Sequence, residues 1–328
     1  MALRPGPFRP LERGSPAGAI RGKLMHHDIL TFSDMCVDLV MSAGDVVPEF
    51  GQVEKLVDDY LLELGGSCNI FACQAAKLKL ATTVLGRVGD DSFGELIVRR
   101  LRESGVDVSR VIVEPALKTG LGVALCTPGD RAILTYMGTI DAVHPRDVTD
   151  EVLMSARHLH HGSYFLHRNL RPAMSEVFSR ARAMGVTTSL DTNWDPDDTW
   201  GDDLRSVLQH TDVFFPNVQE ALRISRTSDI RDAAACFLEL GVGVIAIKGG
   251  ADGSWGCTAE QSFHQPVEPV TGGDTIGAGD SYDAGFLSGW LRGEPLERCL
   301  AIGTTCGRSV AARPGGLAGQ PHLADLAH

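Results

Sequence analysis

The chain has 328 residues, of which 43% are apolar and 22% charged, and its formal net charge at pH 7 is −12. Such a composition is typical of a globular protein with a large core, and the acidity argues against a nucleic-acid surface, which needs clustered Lys and Arg. No segment approaches the length of apolar sequence that spans a membrane. Eight cysteines without a C-x-x-C pair predict reduced thiols in a cytoplasmic protein rather than a disulfide framework or a zinc site.

The first 24 residues are rich in Arg, Pro and Gly and poor in acidic residues. They contain no apolar core of a secretory signal, and their prolines would break the amphipathic helix of an organellar targeting peptide. We therefore expect residues 1–26 to be a disordered extension upstream of an internal start at Met25.

From Asp28 onward the apolar pattern predicts alternating strands and helices. The predicted elements as far as Gly105 are a strand in DILTFSDMCVDLVM, a helix in GSCNIFACQAAKLKL, a strand in ATTVLGRVG and a helix in DSFGELIVRRLRESGV. The next segment, LGVALCTPGDRAILTYMG, has two alternating runs about a Pro-Gly-Asp turn and predicts a β-hairpin. Together with strand-like sequence after residue 38, this hairpin predicts a small β lid with segments near 38–52 and 118–140.

The α/β alternation then resumes through four apolar runs, each preceded by a helical pattern: ARHLHHGSYF, GVTTSLDTN, TDVFFPN and GVGVIAIKGG. Two further helices are predicted in SYDAGFLSGWLRG and LERCLAIGTTCGRSVAA. Short buried strands that alternate with helices indicate a mainly parallel sheet with helices on both faces. Ligands of such sheets bind beyond the carboxyl ends of the strands, where this chain carries Asp34, Asp38, Asp191, Asn193, Asn217, Glu220 and Lys248.

The segment GGDTIGAGDSYDAGF, residues 272–286, runs into the first of these last two helices. Gly277, Ala278 and Gly279 place successive backbone N–H groups at a helix N-terminus, which predicts an anion-binding site. Asp280 is positioned to remove a proton from an attacking hydroxyl, and the alternative is an Asp that caps the helix. Neither a G-x-x-x-x-G-K-[ST] loop nor a G-x-G-x-x-G fingerprint after a strand is present, which argues against a P-loop or dinucleotide-binding protein.

The same segment is similar to the D-T-x-G-A-G-D-x-F-x-A-G signature of the PfkB (ribokinase-like) carbohydrate kinases. LGGSCNIFACQAAKLKLATTVLGRVGDDSFGELIVRRLRESGV resembles the first signature of that family, and SLDTNWD, VFFPNVQEA and IAIKGGADG follow in the expected order. The resemblance implies a ribokinase-like α/β domain over residues 27–328. Its expected architecture is a three-layer α/β/α sandwich with a mainly parallel central sheet and a small β-sheet lid.

The resemblance implies an ATP-dependent kinase that transfers the γ-phosphoryl group to a hydroxyl of a sugar or sugar derivative. Asp280 would be the base, and the amides of residues 277–279 would form the anion hole. Asn217 and Glu220 would help to bind ATP and Mg²⁺, Glu220 through water. The alternative for this pair is a turn followed by a helix with Glu in its first turn.

Further residues are implied at the nucleotide and at a cation. Lys248, Gly250, Gly253 and Thr275 would lie along the nucleotide, and the role of Lys248 stays open. Asp274 would bind a monovalent cation such as K⁺, together with the backbone around residues 311–316.

Asp38, Gly65, Gly66 and Asn69 match the acceptor-binding positions of the family, and Arg131 would reach the acceptor from the lid unless it is an exposed hairpin residue. The chain departs from the family pattern, because two residues separate Gly66 from Asn69 where many members have three, and Ser33 stands where Gly is usual. The identity of the small-molecule acceptor therefore stays open.

Two alternatives remain at this point. A nucleoside kinase of the same family would use the same machinery with a different acceptor pocket. A non-catalytic ligand-binding homologue would keep the fold without turnover. Because lid strands with one apolar face often pair with a second copy in this family, we also expect a homodimer through the lid.

Overall fold

A computed structural model of the protein describes residues 26–42, 44, 47–127, 130–270, 273 and 275–326, with the backbone alone at Asp130 and Arg131. The expected extension, apart from His26, lies outside these residues and stays a prediction. Among the helices that are described, none is long and apolar enough to cross a membrane.

The described residues fold into strands and helices in the alternating order that the sequence predicts. The strands are β1 (His27–Phe32), β2 (Cys36–Ser42), β3 (Asp59–Gly65), β4 (Thr82–Val88), β5 (Asp107–Val113), β6 (Gly120–Thr127), β7 (Asp130–Tyr136), β8 (Ala156–His161), β9 (Thr187–Leu190), β10 (Val213–Phe214), β11 (Val244–Lys248), β12 (Ser254–Cys257) and β13 (Ser262–Gln265). The helices are α1 (Ser67–Lys77), α2 (Ser92–Glu103), α3 (Asp150–Leu153), α4 (Met174–Ala183), α5 (Asp203–Leu208), α6 (Val218–Ser225), α7 (Ile230–Glu239), α8 (Ala278–Trp290) and α9 (Leu296–Ala311).

The larger sheet has the strand order β13-β12-β11-β10-β9-β8-β1-β4-β5. Its neighbours from β11 to β5 pair in parallel, and β12 and β13 add an antiparallel edge. The prediction of a mainly parallel sheet is therefore confirmed. The parallel strands bring their carboxyl ends to one edge of the sheet, where open α/β folds bind their ligands.

Helices cover both faces of this sheet because neighbouring apolar residues of each strand point in opposite directions. Leu30 and Phe214 belong to the core under α4, α5, α6 and α7. Their neighbours Ile29 and Phe215 belong to the core under α1, α8 and α9. The result is the three-layer α/β/α sandwich expected from the sequence.

The segment predicted as one first strand is two strands in different sheets, and this prediction was wrong. β1 lies in the larger sheet, and β2 lies in a smaller sheet of order β3-β2-β6-β7. Between the two strands the Asp34 carboxylate accepts hydrogen bonds from the backbone N–H groups of Ser67 and Cys68, at 2.9 and 3.0 Å. These bonds fix the chain at the N-terminus of α1 and end the first strand there.

The smaller sheet is the lid, and its strands come from more of the chain than expected. The segments near 38–52 and 118–140 supply β2, β6 and β7, and β6 and β7 form the predicted hairpin. β3 lies outside both segments, and residues 47–57 form no strand. Strand β2 pairs in parallel with β6, so the lid is not a simple meander.

The core packing of α8 gives a prediction for stability. Phe286 of α8 is fully buried, and its ring centroid lies 5.3 Å from that of Phe215 of the central sheet in an edge-to-face contact. We expect Phe286→Ala to lower the free energy of unfolding by about 3–5 kcal/mol because it leaves a cavity. Urea denaturation measures this change.

The control is Thr305→Ala, which alters an exposed residue of the adjacent helix α9 and is expected to change stability by less than about 0.5 kcal/mol. Equal effects of the two substitutions would contradict the conclusion that α8 is held by packing on the sheet.

Candidate active site

A main cleft of about 1030 Å³ lies between the lid and the carboxyl edge of the larger sheet. Its lining brings together most of the polar residues that the sequence places after strands: Asp34, Asp38, Asp191, Asn193, Asn217, Glu220, Lys248 and Asp280. A side cavity of about 380 Å³ adjoins the main cleft. Gly253 and Ala278 are among the residues that line the side cavity but not the main cleft. Lys248, Gly250, Thr275 and Gly279 line both and mark their junction.

The turn at residues 275–280 presents the N-terminus of α8 to the junction. Gly277 is the N-cap, with φ of 71° and no side-chain capping bond. Only glycine takes this left-handed conformation without strain, and a Cβ at residue 277 would also lie 2.7 Å from the Cα of Gly316. The first-turn N–H groups of a helix have no partner within it, so this end of α8 is suited to bind an anion.

Asp280 lies in the first turn of α8 and its side chain does not cap the helix. Burial raises the pKa of its carboxyl to about 8, Asp191 adds to the rise, and Lys248 opposes it. A carboxyl with this pKa exchanges a proton close to neutral pH, as a general base must. Asp280 is therefore not a helix cap, which was the alternative interpretation of this residue.

Lys248 ends β11 and is enclosed by acidic side chains. Its Nζ lies 2.6 Å from Asp191 Oδ2 and 3.2 Å from Asp283 Oδ1. Burial opposes the charge on Lys248, but the two carboxyl groups outweigh it and raise its pKa. Asp283 was missed in the sequence, although it follows Asp280 by three residues and so lies on the same side of α8.

Asn217 and Glu220 form a reciprocal capping box at the start of α6. The Glu220 N–H donates to Asn217 Oδ1 at 2.9 Å, and the Asn217 N–H donates to Glu220 Oε2 at 2.8 Å. The structural alternative for this pair is thus present, yet both residues also line the main cleft. Burial and Asp191 raise the pKa of Glu220 to about 7, so a nearby cation would stabilise its ionised form.

The side chain of Asp38 faces the main cleft from the lid, against backbone that carries no Cβ. A Cβ at Gly65 or Gly122 would lie 2.4 or 2.6 Å from the Asp38 carboxylate. Gly65 therefore supports Asp38 without lining the cleft, and Gly66 lines it directly. Residues 65 and 122 must therefore be glycine for Asp38 to take this position.

Asn69 is not brought to the cleft, and its predicted contact with the acceptor needs correction. The residue is fully buried, its Nδ2 donates to the Gly65 carbonyl at 2.8 Å, and its Oδ1 accepts from Ser33 Oγ. Because successive residues of a helix differ by about 100° in direction, the shorter spacing after Gly66 turns Asn69 away. Ile70 lines the cleft instead.

Two predicted site residues are not fully described. Asp274 lies outside the described residues, and only the backbone of Arg131 is described, paired with Cys126 in the lid hairpin. Several cleft residues were missed in the sequence, among them Ser67 and Ser163. Neither belongs to a pattern that distinguishes it from other serines.

The pattern of the pfkB family carbohydrate kinases matches residues 26–323. The ATP-dependent ribose-1-phosphate kinase of Halopiger xanaduensis is 32% identical over 76% of this chain and 81% of its own length. The 5-dehydro-2-deoxygluconokinase of Geobacillus thermodenitrificans is 27% identical over 86% and 87%. A putative ribokinase II of E. coli, solved in complex with ATP and Mg²⁺, superposes with a TM-score of 0.82 at 26% identity, covering 92% of this chain and 97% of that one. The chain therefore belongs to the pfkB family of carbohydrate kinases and is a phosphotransferase that acts on an alcohol group.

Proposed function

We propose that the protein transfers the γ-phosphoryl group of ATP to a hydroxyl of a sugar or sugar derivative, with Asp280 as the base. The observation that carries this proposal is the position of Asp280 in the main cleft, beside the N-terminal amides of α8 and next to Gly279 of the junction. A base beside an anion-binding turn suits a reaction in which a hydroxyl attacks a group that bears negative charge.

ATP is assigned to the side cavity and the junction. The cavity is lined by Gly250, Gly253 and Thr275, and the two glycines let a nucleotide approach the backbone there. The E. coli relative of known structure was solved with ATP and Mg²⁺, which supports the same nucleotide here. The γ-phosphoryl group would then lie at the amides of Gly277, Ala278 and Gly279.

The chemical step follows from this placement. Asp280 accepts the proton of the acceptor hydroxyl while the hydroxyl oxygen forms a bond to the γ-phosphorus. The bond from that phosphorus to the oxygen of ADP breaks, and ADP leaves with the electron pair. The amides of α8 hold the oxygens of the group in transfer, and their positions are fixed before the reaction begins.

Magnesium is assigned to the neighbourhood of Glu220 and Asn217. No described group of three His, Cys, Asp or Glu side chains suits a metal ion by itself, which fits an ion held by one carboxylate, water and phosphate oxygens. When bound, Mg²⁺ neutralises charge on the phosphates. The buried Glu220 carboxyl would contact the ion through water.

A monovalent cation such as K⁺ is assigned to the loop before α8. A Cβ at Gly273 would lie 2.0 Å from the Ala311 carbonyl oxygen, so Gly273 packs directly on the C-terminal end of α9. Backbone carbonyl oxygens at such an end can coordinate a hard cation. Activity assays with and without K⁺ test this assignment.

The acceptor is assigned to the lid end of the main cleft. Asp38, Ser67 and Asn193 offer hydrogen bonds to hydroxyl groups there, and Ile70, Ile133 and Leu166 supply an apolar wall. A sugar satisfies the polar side, and the curated relatives named above act on sugar derivatives. The apolar wall also suits the base of a nucleoside, which is the alternative acceptor within this class.

All eight cysteines are free, which supports a reducing compartment such as the cytoplasm.

We also propose a homodimer through the lid. Asp38, Gly122 and Thr135 face the main cleft, so their neighbours along each strand face away. On that outer face, two neighbouring rows of residues paired across the four strands are entirely apolar. One row is Leu62, Leu39, Val123 and Leu134, and the next is Tyr60, Met41, Leu125 and Ala132. Tyr60 is 70% and Leu134 66% exposed. An apolar sheet face of this kind is typical of an interface, and a second copy supplies a matching surface.

The proposed reaction is tested by ADP formation from ATP across a panel of sugars, sugar derivatives and nucleosides. Wild-type protein is expected to turn over at least one of them. Asp280→Asn should lower kcat by about 100- to 10,000-fold because the base is lost, while the affinity for a non-hydrolysable ATP analogue stays near normal. Asp232→Asn, an exposed carboxyl of α7, is the control and should keep full activity. Full activity of Asp280→Asn would contradict the assigned mechanism, and silence of the wild type on the whole panel would favour the non-catalytic homologue.

The raised pKa of Asp280 predicts a dependence of stability on pH. Its carboxyl is protonated in the folded protein up to about pH 8, against a usual pKa of 3.8, so the unfolded state loses its proton first as pH rises. Wild-type protein should therefore lose stability relative to Asp280→Asn between about pH 4 and 8, by at most about 1.4 kcal/mol per pH unit. Denaturation of both proteins from pH 5 to 9 measures the difference, with Asp232→Asn again as the control. A constant difference across this range would show that the carboxyl is ionised throughout.

Sedimentation analysis tests the dimer. Wild-type protein is expected to be dimeric at micromolar concentration, and Leu134→Asp should weaken association by about 100-fold or more because it buries a charge in an apolar interface. Leu323→Asp alters another exposed leucine, away from the lid, and should leave the dimer intact. A monomeric wild type, or dissociation by Leu323→Asp alone, would reject the lid interface.

A further inference from the structure

Lys248 occupies a special position among the residues of the two cavities. It is one of four residues that line both the main cleft and the side cavity. Among the described residues that line the main cleft, it is the one with a cationic side chain. The family resemblance places Lys248 along the nucleotide but does not indicate which part of the nucleotide its side chain contacts.

The ammonium group of Lys248 is held against the turn at the N-terminus of α8. A Cβ at Gly279 would lie 3.6 Å from Lys248 Nζ, which is contact distance. Asp191 Oδ2 lies 2.6 Å from the same nitrogen, and Asp283 Oδ1 and Oδ2 lie at 3.2 and 3.3 Å. The two carboxyl groups restrict a side chain that is otherwise flexible, so the charge is fixed beside the anion-binding amides.

The burial of this cluster argues against a purely stabilising role. The side chains of Lys248, Asp191 and Asp283 are 13%, 4% and 1% exposed. Buried ion pairs contribute little to stability beyond what apolar residues of the same size give, because each charge is costly to remove from water. Burial also raises the pKa of Asp283 well above its usual range, although the charge of Lys248 opposes the rise. Because Lys248 also lines both cavities, its ammonium group remains within reach of a ligand.

We propose that Lys248 is a catalytic residue that contacts the γ-phosphoryl group in transfer, and that Asp191 and Asp283 are the positioning residues that aim its ammonium at the α8 turn. This inference rests on the proposed phosphoryl transfer. Lys248 forms no covalent bond and moves no proton, since Asp280 remains the base. Its ammonium neutralises charge on the phosphoryl oxygens.

The competing explanation is that Lys248 only ties β11 to β9 and α8. Two substitutions together separate the explanations. Lys248→Met alone leaves two buried carboxyl groups without their cation, so it would lower stability under either view. Adding Asp283→Asn removes one of these carboxyl groups and supplies an amide that can donate to Asp191. The double variant should therefore recover stability, and only a structural Lys248 would let it recover activity as well.

The kinetic test compares wild type, Lys248→Met, Lys248→Arg and the double variant Lys248→Met/Asp283→Asn on the best acceptor. We expect kcat to fall about 100-fold in Lys248→Met, as for loss of one donor to a developing charge. We expect the double variant to stay equally slow although it unfolds at nearly the wild-type denaturant concentration. Lys248→Arg, which keeps the charge, should remain within about 10-fold of wild type. Recovery of wild-type kcat by the double variant would overturn the proposal.

A binding test is independent of turnover. We expect the ratio of the affinities for AMP-PNP and ADP to fall about 10-fold in the double variant, because only AMP-PNP carries the γ-phosphoryl group that meets the ammonium. The affinity for ADP should stay unchanged, and Asp232→Asn should behave as wild type. An unchanged ratio, or an equal loss for both nucleotides, would overturn the proposal. If the wild type turns over none of the acceptors, the proposed reaction fails, while this ratio still decides whether Lys248 faces the γ-position.

Discussion

The rest of the site depends on how α8 is packed against the central sheet. Nine consecutive residues of this helix, from Ser281 to Gly289, are buried, and Phe286 contacts Phe215 of the sheet. A helix enclosed on all sides has little freedom to slide or tilt. The amides of its first turn are therefore placed by apolar contacts well below the cleft, before any ligand is present. Preorganised donors of this kind need no rearrangement when charge develops on a ligand.

Among the described residues around Lys248, carboxyl groups outnumber cationic groups. Asp191, Glu220, Asp280 and Asp283 surround the single ammonium of Lys248, and burial raises the pKa of Glu220 to about 7 and of Asp280 to about 8. Raised pKa values lessen this excess, because a carboxyl group that holds a proton carries no charge. A divalent cation offers a second way of relieving it, with release of those protons. The same excess of carboxyl groups thus favours the metal–nucleotide complex proposed above.

Much of the fold and the reacting end of the site could be predicted from the sequence, because the signals are local. The α8 turn rests on consecutive residues, and the lid hairpin rests on one turn between two alternating runs. The break between β1 and β2 could not be predicted, since its cause is an Asp34 carboxylate bonded to amides 33 and 34 residues away. The contact of Lys248 with Asp283 joins two elements that no local pattern connects, so it too appears only in the folded chain.

The acceptor end shows how a small change of spacing alters a pocket without altering the fold. Helix α1 begins at Ser67, where Asp34 accepts hydrogen bonds from its first amides. Successive residues of a helix differ by about 100° in direction, so an Asn at residue 69 points elsewhere than an Asn one residue later. Asn69 thereby becomes a buried support for Gly65 and Ser33, and Ile70 takes its place at the cleft. At this position the cleft is therefore lined by an apolar side chain. Selectivity in this protein is therefore expected to depend on the lid residue Asp38 and on the Ser67–Asn193 side of the cleft, which retain the groups that can bind hydroxyls.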